Sequence, residues 1–328
     1  MRFRPNSNGI FSPGQSSQGP GMGEVSSATE EGKMVFNTAS EITGLDMAEI
    51  CFGSQTDRLD ETLVAQTAIG AAWISDYLYL KKLGFRPNVG VGHSVGELPL
   101  FAMAGILPVK ETIQLMQIRA EATSKASEER PGMMAAISGL TAEQLKTKSA
   151  AIRASGRAAI TNFNGKTQQV FSGDHGPMEE LETLVGQWRL HDRLRVRFDK
   201  LRTGGAFHSA YHMENAVGEV YEAAAALKYS PAEFELMLNN VLYLSELGTA
   251  NLPRYVSGQL VTEVYFAGSS ERVIDDGVTN FVEVGPLQPD TKLRTLSSLV
   301  KRDFEDRVHI IEINELGNGK SVKATSST

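Results

Sequence analysis

A single cysteine, Cys51, stands in the 328-residue chain, so no internal disulfide can staple the fold and no thiolate cluster can hold a structural metal. A reducing compartment, the cytoplasm, is the simplest setting for such a sequence. The six histidines form no HExxH pair, and no metal site is expected. Basic charge is in deficit: the formal net charge of −7 excludes a nucleic-acid binder that relies on a broad basic surface. No stretch approaches ~18 consecutive apolar residues, the length a membrane span needs. The opening Met-Arg-Phe-Arg-Pro-Asn-Ser-Asn is too polar for the apolar region of a signal peptide, so a protein without membrane attachment is expected.

Apolar material is ample within those limits. Hydrophobic residues make up 41% of the chain, enough for one large core or two unequal ones. Residues 12–23 are dense in Gly and Pro and mark a loop with several special backbone angles. Across 61–82, Val64, Ala68, Ala71, Ala72, Ser75 and Leu78 recur at helical spacing, and Gly84 stands where a C-cap would; a buried helix is predicted. After Pro87, Asn-Val-Gly-Val-Gly-His-Ser-Val-Gly-Glu is a β-branched run broken by glycines, followed by the apolar stretch 98–107. That pattern predicts a strand, a sharp turn and a helix, with another helix over 110–126.

Composition shifts at Glu-Glu-Arg-Pro-Gly, residues 128–132, and a separate pattern begins. Strand 133–138, helix 141–154, strands 158–162 and 168–172 split by Asn-Gly, helix 178–190 and strand 194–198 follow one another. The order is βαββαβ, the ferredoxin-like unit. Helix and strand patterns resume after His208 and reach Asn280-Phe-Val-Glu-Val-Gly-Pro. The organisation expected is a discontinuous large α/β subdomain, 1–131 and 202–316, an inserted ferredoxin-like small subdomain, 132–201, and a flexible tail, 317–328.

Gly92-His93-Ser94-Val95-Gly96 fits G-x-S-x-G, in which a serine occupies a strained strand-to-helix turn and the glycines relieve crowding around it. Five such residues alone could be an ordinary tight turn; the strand before them and the apolar helix after them are the context the motif requires. Ser94 would stand at a helix N-terminus, where peptide N–H groups favour negative charge developing on a substrate carbonyl oxygen. A serine hydroxyl needs a base, and His208, in Gly-Gly-Ala-Phe-His-Ser just after the small pattern closes, is the best placed. The plain alternative is a structural histidine. Arg119 lies in line with the apolar stripe Leu115, Ala122 and Ala126 of its helix. A guanidinium on that face needs a carboxylate, either a protein acid or the free carboxylate of a dicarboxylic acyl substrate held by a bidentate pair.

In this order, the segments resemble the malonyl-CoA:acyl carrier protein transacylases and the acyltransferase domains of polyketide and fatty-acid synthases, over residues 11–300. Phe11-Ser-Pro-Gly-Gln-Ser-Ser-Gln looks like the family's F-P-G-Q-G-S-Q loop, Gly92 to Glu97 like its G-H-S-x-G-E elbow, and Ala206-Phe207-His208 like its A-F-H segment. Arg119 falls at its arginine, Asn162-Phe-Asn-Gly resembles its N-x-N segment, and Phe281-Val-Glu-Val-Gly-Pro its E-V-G-P. The resemblance implies an α/β-hydrolase-like large subdomain with a parallel sheet, Ser94 as nucleophile, His208 as base and Arg119 as binder of the substrate carboxylate. It further implies an oxyanion hole from the backbone amides of Gln15 and Val95, and a main-chain carbonyl at Gln259 that orients His208. The implied reaction is ping-pong transfer of malonyl from malonyl-CoA to the phosphopantetheine thiol of an acyl carrier protein, in fatty-acid or polyketide synthesis, with no cofactor. Phe207, with Val95 after the serine, looks like the malonyl-selective variety. The chain departs from the family at Ser16, a glycine there, at Asn6-Ser-Asn-Gly, which is polar for a first strand, after Pro286, where Leu-Gln-Pro-Asp replaces the glycine-lysine continuation, and at Gln259, which lacks the usual Pro and Trp after it.

Two other functions share these features. A lipase- or thioesterase-type hydrolase has the same elbow but no use for a buried guanidinium, and a non-catalytic acyltransferase-like subunit has no reason to keep Ser94, His208 and Arg119 together. Arg193, Arg195 and Arg197 alternate with Leu194, Val196 and Phe198, and Lys200 and Arg202 follow. One strand face would be basic, either a plain solvated face or a guide for an acidic carrier protein or the CoA phosphates.

Overall fold

The polar opening of the chain enters the middle of a sheet. In the structure, a computed structural model describing residues 1–285, 295–312 and 315–316, β1 (Ser7–Ser12) and β2 (Val89–Gly92) run parallel with Ser12 level with Gly92. The chain then leaves for a second sheet, made of β3 (Met133–Ser138), β4 (Ala158–Gly165), β5 (Gln168–Gly173) and β6 (Arg197–Lys200). It returns through β7 (Glu235–Met237), β8 (Val278–Glu283) and β9 (His309–Ile310). The first sheet runs β7-β2-β1-β8-β9 with parallel neighbours, the second β4-β5-β3-β6 with antiparallel ones. This is the mixed α/β fold expected, a parallel sheet joined to a small ferredoxin-like one.

The apolar half of β1 supplies its burial: Ile10 and Phe11 are fully enclosed, and Phe11 stacks on Phe281 at 4.5 Å. Its polar half is satisfied at the sheet edge, where Asn88 Oδ1 accepts the Asn8 N–H at 2.9 Å and Asn280 Nδ2 donates to the Asn6 carbonyl at 2.9 Å. Those amides are how Asn6-Ser-Asn-Gly can lead into a central strand. The helix Thr62–Lys82 is buried on nearly all sides, packed between the helices Glu30–Thr43 and Val109–Glu129. Its Trp73 donates to the Pro13 carbonyl at 2.9 Å and holds the loop after β1.

Three predicted elements are corrected. The helix over 141–154 is two, Ala142–Lys148 and Ala150–Ala154, because Ser149 (φ −100°, ψ 13°) turns off the axis and its hydroxyl bonds back to the Leu145 carbonyl at 2.6 Å. The strand ending at 162 continues through Asn164 and Gly165, since two irregularities in the β4–β5 register carry the pairing on; the turn falls on Lys166 and Thr167. The strand over 194–198 starts only at Arg197, which pairs with Ser138, the last residue of β3 before Gly139 turns at φ +102°. Beyond that point, among the described residues, Leu194 to Val196 have no partner strand. Pro286 and the tail 317–328 lie outside the described residues.

The small sheet is tied to the large subdomain by β4, whose Phe163 N–H donates to the carbonyl of Val264, just before the helix Phe266–Asp275, at 2.8 Å while Val264 donates to Thr161 at 2.9 Å. Alternation along the small sheet turns Met134, Ala136 and Val170 toward the cleft and Ala135, Ile137 and Phe171 toward its own helices. Among the described residues, no helix is long and apolar enough to cross a membrane.

Candidate active site

Level ends of adjacent parallel strands bring two loops to one place, the crevice beyond the carboxyl ends. After β1 comes the loop Pro13 to Ser17, and after β2 comes the turn at Ser94, with the His93 N–H donating to the Ser12 carbonyl at 3.0 Å. The chain passes from β2 into one 3-10 turn, Ser94–Gly96, and then the helix Glu97–Met103. Glycine is required on both sides of the serine: a Cβ at Gly92 would lie 2.6 Å from the Glu97 backbone, and one at Gly96 would lie 2.1 Å from the Ser12 carbonyl oxygen. Asn239, just past β7, grips the turn from below. Its Oδ1 accepts the Ser94 N–H at 2.8 Å and its Nδ2 donates to the Gly92 carbonyl at 2.9 Å.

His208 arrives on the loop after β6, whose Phe207 carbonyl accepts from the Ser172 hydroxyl at 2.7 Å. Its Nε2 lies 2.6 Å from Ser94 Oγ. Nδ1 faces two main-chain carbonyls, Gln259 at 2.8 Å and Thr262 at 3.2 Å. Carbonyl oxygens only accept, so Nδ1 carries the proton and Nε2 is left as the acceptor for the serine hydroxyl. Burial, with the Arg119 charge second, pushes the His208 pKa down to about 3, so the ring is neutral at ordinary pH.

Arg119 is 3% exposed on the helix Val109–Glu129 and lines the same cleft. Its Nη1 donates to Gln66 Oε1 at 2.5 Å and its Nη2 to Gln259 Oε1 at 3.2 Å, both neutral amides. Nε has no hydrogen-bond partner, and no carboxylate pairs with the guanidinium among the described residues. Burial lowers its pKa to about 10, opposed by the charge of Glu97, so it stays cationic near neutrality.

These groups share a cleft of about 290 Å³ between the sheets, lined also by Gln15, Ser16, Met134, Val170 and Phe207. The structure brings together Ser94, His208, Arg119, Gln15 and Gln259, with Val95 buried directly behind the serine. Ser16 has φ +79°, so the serine that replaces the family glycine sits in the left-handed region. Sequence reasoning missed Gln66, Asn239, Tyr255 and the Thr262 carbonyl, and gave Glu97 no role. A glutamine inside the apolar helix 62–82 was a readable signal for Gln66; the others are defined only by tertiary contact. In the segment leading into β6, Arg193, Arg195 and Arg197 are exposed and Val196 is buried, so exposure alternates although only Arg197 of these belongs to the strand. Arg197 pairs with Asp199 at 3.0 Å and Lys200 with Glu182 at 3.2 Å, which leaves Arg193 and Arg195 as the basic groups of that edge without an acidic partner among the described residues.

A serine on a strand-to-helix elbow at the carboxyl edge of a parallel sheet, hydrogen-bonded to a neutral histidine, defines an α/β protein of the class that handles acyl groups, whether by transfer or by hydrolysis. The sequence pattern of the acyl transferase domain matches residues 10–289, and the chain belongs to that family, among the malonyl CoA-acyl carrier protein transacylases. It is 30% identical over 292 residues to the malonyl CoA-acyl carrier protein transacylase of Bacillus subtilis, covering 88% of each chain. It is also 30% identical over 279 residues to a polyketide biosynthesis malonyl CoA-acyl carrier protein transacylase of Bacillus velezensis, covering 84% of this chain and 91% of the relative. The crystal structure of a malonyl CoA-acyl carrier protein transacylase from Clostridium perfringens is similar with a TM-score of 0.81, 25% identity and 93% of each chain covered.

Proposed function

We propose that this acyltransferase carries a malonyl group from malonyl-CoA to the phosphopantetheine thiol of an acyl carrier protein, through an ester on Ser94, in fatty-acid or polyketide synthesis. Ser94 Oγ attacks the thioester carbonyl as His208 Nε2 takes its proton; the C–S bond then breaks and the same proton leaves on the CoA sulfur. The carrier thiol repeats the sequence in reverse, giving its proton to His208, forming the new thioester and returning the proton to Ser94. The backbone amides of Gln15 and Val95 hold the transient oxyanion, a role favoured by the side-by-side exit of their loops from β1 and β2. The carbonyl of Gln259, 2.8 Å from Nδ1, does the orienting work of an aspartate. No cofactor enters this cycle. The exposed Arg193 and Arg195, in the segment before β6, supply positive charge for the acidic carrier protein and the CoA phosphates.

The observation that carries the choice of acyl group is Arg119: a buried cation in the cleft whose partners are two neutral amides. A malonyl carboxylate completes it with a bidentate pair, and neutral acyl groups do not. The test is incubation with malonyl-CoA labelled in the malonyl group, followed by peptide mapping. A stable ester on Ser94 that an added carrier protein discharges is expected. Rapid loss of label to water would make the protein a hydrolase, and absence of label would make it a binding subunit.

A further inference from the structure

One buried residue, Gln259, touches Ser94, His208 and Arg119 at once. The Gln259 side chain accepts from Arg119 through Oε1 at 3.2 Å and donates through Nε2 to the Ser94 carbonyl at 3.1 Å and to Glu97 Oε2, while its main-chain carbonyl holds His208. We propose that Glu97 is a positioning residue: it fixes which way round the Gln259 amide sits, and so gives Arg119 the acceptor that holds its guanidinium for a substrate carboxylate. The inference rests on the malonyl reading of Arg119.

The two ends of an amide are nearly equal in size, so its polarity is set by neighbours. Glu97 is 2% exposed, and three groups donate to it: the Asn239 N–H at 2.7 Å, the Tyr255 hydroxyl at 2.9 and 3.0 Å, and Gln259 Nε2. The ionised oxygens of Glu97 accept from all three and, with the Ser94 carbonyl, hold the NH2 end of Gln259 on that side and leave Oε1 for Arg119. Turned the other way, the amide would set its oxygen against the carboxylate and the Ser94 carbonyl and its NH2 against the guanidinium, three clashes for three lost bonds. The second acceptor of Arg119 is fixed by comparable means, since Gln66 Nε2 donates to Thr123 Oγ1 at 3.0 Å. Glu97 does not line the cleft and touches no reacting atom; it acts through Gln259. The bond to His208 comes from the main chain of Gln259 and does not depend on how the amide is turned. Loss of Glu97 should therefore fall on recognition of the carboxylate more than on the chemistry at Ser94.

The experiment uses the full chain with Glu97→Gln, whose amide places a second NH2 among the donors. Initial rates of loading from malonyl-CoA and acetyl-CoA give kcat and KM for each, and thermal unfolding checks that the variant folds. The expected result is a malonyl KM raised about ten-fold or more, with a much smaller change for acetyl. Adding Glu97→Gln to Arg119→Ala should cost nothing further for malonyl, because the residue it serves is gone. Equal losses for both acyl groups, or a full additional loss on top of Arg119→Ala, would overturn the inference. If Glu97→Gln does not fold, Glu97→Asp, which draws the carboxylate back from the Gln259 amide, alone and combined with Arg119→Ala decides the same question. Failure of the unaltered chain to accept malonyl is a different result, which removes the proposed function itself.

Discussion

Ser94 and His208, whose side chains meet at 2.6 Å, both hold left-handed backbone angles, with φ of 53° and 61°. An L side chain in that region costs about 1–2 kcal/mol, and the surrounding structure has to impose it. At Ser94 the imposing residue is Asn239, which bonds both sides of the turn; at His208 it is the grip of Ser172 on the Phe207 carbonyl. The strain aims the hydroxyl and the ring at each other, so relief of it should be visible once the hydroxyl is removed.

Ser94→Ala and Ser94→Gly both remove the nucleophile and should abolish labelling by malonyl-CoA. Only the glycine variant also relieves the backbone, and it should unfold about 1 kcal/mol harder than the alanine variant. Thermal or urea unfolding of the two measures the difference. Equal stability would mean that the turn carries no strain, and label on either variant would move the nucleophile elsewhere.

Ser16 poses the same question outside the reacting pair. It is exposed, has φ +79°, and its hydroxyl makes a long 3.5 Å contact to the Arg202 carbonyl. Ser16→Gly should therefore stabilise the chain by about 1 kcal/mol and leave malonyl loading as fast or faster, since the loop that carries Gln15 is relaxed. A fall in the urea midpoint would show that the serine contributes contacts worth more than the strain.

Arg119→Ala separates the acyl groups. Malonyl loading should drop by at least ten-fold, the scale of a lost charge-assisted pair, while acetyl loading holds or rises because it has no carboxylate to neutralise. Parallel initial rates on the two thioesters test this. An equal fall for both would return Arg119 to a structural role.

Most of the small sheet, the strand leading into Ser94 and the reacting pair were legible in the sequence because their signals are local. Val64 to Leu78 repeat at helical spacing, the residues of β3 are apolar and extended, and Gly92 and Gly96 bracket a serine in the only way that lets the elbow close against Ser12. What stayed hidden depends on partners distant in the chain. Leu194 to Val196 have strand-like alternation, yet β3 ends at Ser138 and offers them no ladder. Asn239 looks like any loop asparagine until β7 sets it beside β2 and its amide meets Ser94, 145 positions earlier. Glu97 was visible as part of a motif, but its three donors come from segments whose packing no local pattern encodes.

The low basicity of His208 sets a direction for pH dependence. In the unfolded chain its imidazole takes a proton near 6.5, in the fold only near 3, so between those values the unfolded state binds more protons. Its contribution to stability is complete above 6.5 and is lost progressively as pH falls toward 3. For catalysis the same shift keeps Nε2 an acceptor through mildly acid solution, and kcat for acetyl loading should show no inflection near 6.5. Malonyl should differ. Part of the depression comes from the Arg119 charge, and a bound carboxylate compensates that charge, which raises the His208 pKa in the malonyl complex above that in the acetyl complex. The acid limb of kcat should therefore lie at higher pH for malonyl than for acetyl. The comparison is made on kcat because Glu97, raised to about 7 by burial, enters through KM. Coincident limbs for the two thioesters would mean that Arg119 and His208 do not feel each other across the cleft, and an acetyl limb near 6.5 would mean that the imidazole is not buried as the geometry requires.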